Sequence, residues 1–496
     1  MNVTFLDALL VLLDRARIQA LLLLEILTDI VDVTNEAMYS YVLIILLVLG
    51  GIYFTCRTKA AQFSMLGEQV KMVTEKPADK KGVSSFQALM VSTASRVGTG
   101  NIIGVSSAIC LGGFGAVFWM WVIAIIGSAS AFVESTLAQI YKKRGKDGCY
   151  GGPAYYIETA LKCRPLAIIF SLLLILTYGV GFNMLASYNL QSTFEPYGFY
   201  DFTVKGVAIA PWAIGLILAV LVGWCLFGGG KRLIKVTGWL VPFMGVAYIL
   251  IALVIVGLNI TSLPSIFARI FKEAFDFHAI FGGFGGSCIM YGIKRGLFSN
   301  EAGVGSAPNA SASAEVSHPV KQGLVQVLSV FIDTILVCTA TAFMCLSSGI
   351  EPTEEIAGAV YVQSSLSATL GSFGPIFITI AMILFAFTTL LGNLYYVNQA
   401  FAHILGHVPG KLFNTIYYIS ASLLIFIGAG LDAGLLWGIA DVSMGFMALI
   451  NIPVIIILGR FAIRALKDYR KQKKAGLSPV FRSKDVGITE ELDYWK

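Results

Sequence analysis

The chain has 496 residues, 57% of them hydrophobic and 13% charged, with a formal net charge of +6. A mean hydropathy of +0.79 excludes a soluble globule of this length, and apolar runs of about 20 residues, each able to cross ~30 Å of hydrocarbon, recur along it. The basic residues sit in short loops and near the C-terminus rather than on one face, which excludes nucleic-acid binding as their purpose; the eight cysteines, without C-x-x-C pairs, read as small buried hydrophobes.

Residues 1–37 form an acidic, amphipathic segment without the basic start or small-residue cleavage site of a signal peptide. It is expected to lie at the membrane interface, with 18–27 as its apolar face. The first span occupies 38–57 and is followed by a loop carrying Arg57, Lys59, Lys71, Lys76, Lys80 and Lys81. The excess of Lys and Arg puts that loop in the cytoplasm and the N-terminus outside. Ten further spans follow, giving about eleven, and Lys and Arg recur at alternate ends down to the basic tail at 460–496. The C-terminus is therefore expected inside, in a multi-pass protein of the cell (inner) membrane. Residues 475–496 lack apolar periodicity and are expected to be disordered.

The second span, 85–111, is interrupted by Val97-Gly98-Thr99-Gly100-Asn101. Glycine costs a helix interior on the order of 1 kcal/mol against Ala, and backbone released at mid-membrane depth persists only when buried in protein or lining a wet cavity. A helix broken there offers N–H groups to a carboxylate on one side and carbonyls to a small cation on the other. A small-residue packing notch is the alternative, though it needs neither Thr99 nor Asn101. The Thr99 hydroxyl and Asn101 amide add neutral polar contacts.

The ten spans divide into two sets of five, 84–259 and 275–459, and each set opens on a glycine-interrupted segment. In the second set this is Ile280-Phe281-Gly282-Gly283-Phe284-Gly285-Gly286-Ser287. The two segments run in opposite directions, the sequence pointer to inverted repeats around a midplane site. Gly285 and Gly286 would bring backbone close to a substrate and Phe284 would close over a small side chain, or serve as core filler.

A second polar cluster spans Thr388, Thr389 and Asn393. Sodium wants oxygen ligands, and only one of two adjacent threonines can face a given site; the other reading is a hydroxyl bonded back to its own helix. Ionisable groups inside spans default to functional hypotheses. Arg96 is expected to pair with Asp333 or Glu134 as an inner gate or as a structural ion pair, Asp441 lies mid-span, and Glu301, just past Lys294 and Arg295 at a cytoplasmic helix end, is expected to be a structural cap or an ion-pair group. No His, Cys or carboxylate constellation suits catalysis, and there is no nucleotide-binding loop, so the chain is not read as an enzyme or an ATP-driven pump.

Gly112-Gly113-Phe114-Gly115-Ala116-Val117-Phe118-Trp119-Met120-Trp121, Gly98-Thr99-Gly100-Asn101-Ile102, Gly151-Gly152-Pro153, the stretch Arg295 to Gly303 (Ser299-Asn300-Glu301-Ala302-Gly303 at its end) and Phe331-Ile332-Asp333-Thr334 resemble the alanine or glycine:cation symporter family. The resemblance implies an all-α, LeuT-like fold of inverted five-helix repeats preceded by one extra helix. It implies alternating access, with Na⁺ as coupling ion, no other cofactor, and uptake of a small neutral amino acid such as alanine or glycine, with glutamine or serine as alternatives. It places the substrate carboxylate at the Gly98 to Gly100 backbone and sodium at the Ala94 and Val97 carbonyls with Thr388 or Thr389; with the residues read above, the expected substrate site is Gly98, Thr99, Gly100, Asn101, Phe284, Gly285, Gly286 and Asn393. Asn101 is also a candidate for a second cation site. The stretch Asn183 to Asn189 departs from the family pattern, which implies a differently shaped pocket. Proton coupling is the runner-up, ahead of a channel or membrane-embedded enzyme, and a monomer is expected.

Overall fold

The computed structural model describes residues 25–75, 82–145, 148–204, 206–276 and 287–495. Those residues are predominantly helical, with two short hairpins (β1, Lys143–Gly145, with β2, Gly148–Tyr150; β3, Thr203–Val204, with β4, Val207–Ala208). Eight helices are long and apolar enough to cross a membrane: α1 (Glu25–Arg57), α5 (Gly115–Ile140), α7 (Arg164–Ser192), α9 (Gly229–Leu258), α13 (Val320–Leu346), α15 (Phe373–Leu405), α16 (Lys411–Gly428) and α17 (Ala433–Lys474). Against the expected count of about eleven, the remainder are short or divided: α3 (Ser85–Arg96) with α4 (Ile103–Gly112), α8 (Ala210–Leu226) and α11 (Cys288–Asn300). Smaller helices are α2 (Leu66–Val73), α6 (Pro153–Ala160), α10 (Leu263–Ala274), α12 (Pro308–Ser311) and α14 (Ala359–Leu370).

Small residues let the helices approach closely where little apolar driving force exists between them. A Cβ on Gly51 of α1 would stand 2.9 Å from the Ile126 carbonyl oxygen of α5, and one on Gly292 of α11 would stand 2.5 Å from that of Ala116. Helix α5 is thereby clasped by α1, α11 and α13 and carries an almost fully buried second half, from Gly127 to Ile140.

Two expectations about the chain ends change. The boundary at 37/38 is not a break: residues 25–57 form one helix that passes through a π turn at Met38–Val42, with Tyr39 buried beneath it. At the other end α17 runs on past the membrane-length stretch to Lys474, and 475–495 is packed rather than disordered. Phe481, Val486, Ile488, Leu492 and Trp495 are all buried. Apolar anchors spaced irregularly along an extended chain bury without producing any helical or strand period, which is why periodicity missed them.

One end of the bundle carries Lys142, Lys143, Arg144 and the end of α17, and is called the basic face; the other carries Glu351, Glu354 and Glu355. Helix α3 starts from the basic face, where Val83 pairs with Ala314, and α4 ends toward the acidic one, where Phe114 N–H donates to Glu273 Oε2 at 2.6 Å.

Candidate functional site: two interrupted helices in contact

Helix α3 begins with a reciprocal cap, Gln87 N–H donating to Ser84 Oγ (3.1 Å) and Ser84 N–H to Gln87 Oε1 (2.9 Å). Its last regular bond is Val97 N–H to the Thr93 carbonyl at 2.7 Å. Val97 then turns to ψ 89° and Gly98 is extended, and a 3₁₀ turn at Thr99–Asn101 leads into α4. The Gly98 amide donates to Asn101 Oδ1 at 2.7 Å rather than to the Ala94 carbonyl. The carbonyls of Ala94 and Val97 are thus released from the i+4 ladder, and the Thr99 and Gly100 amides, which open the turn, take no partner among the described residues. The expected amide cradle is corrected at one position: Gly98 N–H is already spent.

Asn101 is consumed the same way. Its Nδ2 donates to Asp333 Oδ1 (2.7 Å) and to Ser299 Oγ (3.0 Å), so its side chain staples the interruption to α11 and α13. Asp333 lies in a π-helical stretch, Phe331–Cys338, and also accepts from Ser299 (2.6 Å) and Thr334 (2.7 Å). Its carboxylate is satisfied by neutral donors, and the expected pairing with Arg96 is not made. Nor does Arg96 pair with Glu134: Arg96 Nη1 donates to Gln326 Oε1 at 3.1 Å, while Nε and Nη2 have no partner among the described residues. Fully buried Glu134 instead accepts from Asn451 Nδ2 (2.7 Å) and Gly303 N–H (3.3 Å). Arg96 remains within Coulombic reach of Glu134, Glu301 and Asp333.

Helix α15 closes the side of the first interruption. A Cβ on Gly392 would stand 2.5 Å from the Ser95 amide nitrogen, and one on Gly98 would stand 1.9 Å from Thr389 Oγ1, so both positions need glycine for close approach. The two threonines part ways here. Thr388 Oγ1 donates within its own helix, to Leu384 O (2.9 Å) and Phe385 O (3.1 Å), whereas Thr389 Oγ1 is buried against Gly98 without a partner among the described residues. Asn393 Oδ1 accepts from Ser95 Oγ at 2.6 Å, and its Nδ2 donates to Asn183 Oδ1 at 3.0 Å. Asn189 Nδ2 reaches the Thr99 hydroxyl at 3.2 Å. Both ends of the divergent stretch 183–189 therefore enter the site.

Phe284, Gly285 and Gly286, and with them the expected second interruption, lie outside the described residues. A break that the sequence reading missed follows directly: α11 ends at Asn300, Glu301 (φ 54°), Gly303 (φ 86°) and Gly305 (φ 90°) take left-handed conformations, and α12 resumes at Pro308. Gly303, Gly305 and Pro308 within six positions were its signal. Glu301 does cap the end of α11, its N–H donating to the Leu297 carbonyl at 2.8 Å, but that end is not a membrane boundary: the side chain is buried between the two interruptions. It accepts from Ser95 Oγ at 3.3 Å and from Ser306 Oγ at 2.5 Å. Asn451 Nδ2 also donates to the Gly303 carbonyl at 3.0 Å, and Tyr156 OH donates to Asn451 Oδ1 at 2.5 Å, fixing this loop to α6 and α17.

On the α4 side stands an aromatic wall. Phe298 lies against Phe182 (centroids 4.6 Å) and Trp437 (4.8 Å), and a Cβ on Gly100 would meet its ring at 2.6 Å. Behind it Arg295 and Lys294, expected near a cytoplasmic helix end, are buried against Asp441. Arg295 Nη1 and Nη2 each lie 3.2 Å from a carboxylate oxygen, Lys294 Nζ lies 2.9 Å away, and the guanidinium stacks over Trp437 at 4.0 Å.

A helical membrane bundle in which two interrupted helices meet at a buried polar centre, with charged clusters on either side of it, defines a membrane transporter. The family model described as the sodium:alanine symporter family matches residues 24–483, and the chain belongs to that family. Among its relatives, the probable sodium/glutamine symporter GlnT of Bacillus subtilis is 44% identical over 93% of this chain and 94% of its own length. The amino-acid carrier protein AlsT of the same organism is 43% identical over 94% and 97%. Its putative sodium/proton-dependent alanine carrier protein YrbD is 40% identical over 95% and 98%.

Proposed function

We propose that this protein imports a small neutral amino acid together with Na⁺ by alternating access, on a LeuT-like plan of inverted repeats, with its basic face in the cytoplasm. The observation that carries the reading is a Thr389 hydroxyl, without a partner among the described residues, packed against Gly98 in the interruption that releases the Ala94 and Val97 carbonyls. Oxygen ligands without fixed charge suit a weakly held monovalent cation. The Thr99 and Gly100 amides take the substrate carboxylate, and the Phe298, Phe182 and Trp437 wall bounds its side chain. Asn101 and Asp333 then act as a structural staple, and Asn393 as a tie between α3, α7 and α15. Arg96 is the inner-side gate residue and the Arg295–Asp441 pair the outer one. One Na⁺ entering at ~100 mV supplies about 2.3 kcal/mol from the potential alone.

Alanine is the first substrate to test, with glycine, serine and glutamine as alternatives. The experiment is uptake into proteoliposomes under an imposed Na⁺ gradient, then an H⁺ gradient, with competition by glycine, L-alanine, D-alanine, serine and glutamine. Accumulation with Na⁺ that is displaced by small neutral amino acids supports the reading; accumulation with H⁺ alone overturns the Na⁺ assignment. The second reading, proton coupling, is favoured by one observation, a carboxylate at Glu301 buried between the two interruptions with only hydroxyl donors.

A further inference from the structure

Beyond α17 the chain turns back along the basic face. Gln472 makes the turn, its Oε1 accepting from Val480 N–H and its Nε2 donating to the Val480 carbonyl, both at 2.9 Å. Phe481 N–H then donates to the Ser317 carbonyl (3.0 Å), and Ser317 Oγ donates to the Pro479 carbonyl (2.8 Å). At the far end Arg144 N–H donates to Asp493 Oδ2 at 2.6 Å, and Tyr494 OH donates to Glu315. Trp495 Nε1 donates to the Gln139 carbonyl at 2.7 Å. The Lys142 ammonium, itself buried, sits 3.7 Å from the Tyr494 ring centroid and 5.4 Å from that of Trp495, and Phe481 and Trp495 contact each other at 5.2 Å. The packing has the anchors of a docked peptide, two aromatic rings and a desolvated cation–π contact.

What lies beneath it matters more. Ser317 and Glu315 belong to the segment that continues the second interrupted helix after α12, and Glu315 N–H donates to the Val83 carbonyl at 2.9 Å, one residue before the cap of α3. The basic-side halves of both interrupted helices thus converge under the folded-back chain. That chain is the direct extension of α17, which also holds the same segment through Asp468 and His318, 3.3 Å apart.

We propose that residues 476–495 form a strap that ties the basic-side ends of the two interrupted helices to α17, and that this strap must let go before that face opens. It rests on the alternating-access reading for its consequence but not for its docking. Any movement of the Val83 and Glu315 segments away from α17 stretches a chain fixed at both ends by Ser317 and Gln139. The strap therefore biases the protein toward the state closed on the basic face, and acts as an intrinsic brake.

A native thiol reports on docking. Cys149, on β2, is buried with its Sγ 3.2 Å from Glu315 Oε1, directly beside the Tyr494 contact. In a background with Cys56, Cys110 and Cys163 replaced by Ser, maleimide labelling of Cys149 is measured in inside-out vesicles for the full chain, for a chain ending at Ala475, and for Trp495→Ala. Docking predicts at least tenfold faster labelling in both altered chains, with no substrate present, so this arm stands even if no amino acid is transported. Labelling unchanged in both overturns the strap. The brake is tested by uptake into right-side-out vesicles carrying the same chains and by Ser317→Cys with Phe481→Cys. Oxidative cross-linking of that pair should cut uptake at least fivefold and a thiol reductant should restore it, while release of the strap should raise the inward transport rate about twofold or more. Faster Cys149 labelling with uptake unchanged by truncation and by a verified cross-link leaves a packed tail and overturns the brake.

Discussion

Ser95 Oγ lies 3.3 Å from Glu301 Oε1 and 2.6 Å from Asn393 Oδ1, so one hydroxyl on the last turn of α3 faces both the start of the second interruption and the helix that closes the site. A hydroxyl has a single proton to donate. Given to Asn393, as the shorter distance indicates, it holds α3 on α15; given to Glu301, it couples the two interrupted helices to each other. Ser95→Ala removes both options and leaves Glu301 with Ser306 Oγ as its one described hydroxyl donor. Loss of a neutral hydrogen bond costs about 0.5–1.5 kcal/mol and of one to a charged group about 1.5–3 kcal/mol, so uptake is expected to fall at least about threefold, and about tenfold or more where the bond to Glu301 is the one used. Ser95→Thr, which keeps the hydroxyl, should recover most of it. Initial-rate uptake in proteoliposomes containing matched amounts of folded protein is the measurement.

The neighbouring threonines give a sharper contrast. Thr389→Val removes an oxygen that has no partner among the described residues and packs against Gly98 in the interruption, whereas Thr388→Val removes a hydroxyl spent on its own helix. The Na⁺ concentration for half-maximal uptake is expected to rise about tenfold or more for Thr389→Val, and by less than about twofold for Thr388→Val, since helix-internal back-bonding adds little. Equal effects from the two changes would move the cation elsewhere.

Gly98→Ala should fail for a steric reason. The added Cβ would sit 1.9 Å from Thr389 Oγ1, inside any tolerable contact, on two backbones already pressed together at Gly392 and Ser95. Uptake is expected to be lost. The double change Gly98→Ala with Thr389→Ala removes the hydroxyl and methyl clashes, leaving a 3.1 Å approach to the remaining Cβ, and should restore part of the melting temperature in detergent, but not the response to Na⁺.

How far these features could be read from the residues depends on how local their causes are. Two glycines inside an apolar run disclose the first interruption, because the cost falls on the helix that carries them. The second, at Glu301 to Ala307, was hidden by charge: Lys294 and Arg295 looked like a membrane boundary, although both pair with Asp441, 146 residues from Arg295. No periodicity reports a partner at that separation. The same holds for Arg96, whose described partner is Gln326 rather than either carboxylate. Thr388 and Thr389 were legible as a pair but not as individuals, since one residue of helical rotation decides which hydroxyl turns inward.

The Asp441 cluster makes a prediction about stability. Asp441→Asn would leave two buried cations facing a neutral amide, and breaking a buried pair by removing one partner costs about 3–5 kcal/mol. A fall in thermal melting temperature is expected before any effect on substrate is considered. Lys294→Met with Asp441→Asn leaves Arg295 alone with the amide and should recover only part of that loss, which a double-mutant cycle on melting would quantify.

His318 gives the docked strap a dependence on pH. Burial holds its imidazole below the usual histidine range, opposed by Asp468 on α17 and reinforced by Lys321 on α13. Its ring packs edge-on against Tyr469 of α17 and against Phe481 of the strap, and Lys321 is itself engaged by Glu75. A histidine that resists protonation while covered and accepts a proton near pH 6.5 once exposed binds more protons in the open state. The closed contact therefore has its full stability above about pH 6.5 and loses it progressively as pH falls below that value. Cys149 labelling in inside-out vesicles should accelerate between pH 7.5 and 5.5, after correction for the intrinsic thiol rate with the chain ending at Ala475. His318→Gln, which cannot charge, should flatten that dependence while leaving labelling at pH 7.5 within about twofold of the unaltered chain. Equal pH dependence with and without the imidazole would assign the effect to another group on the basic face.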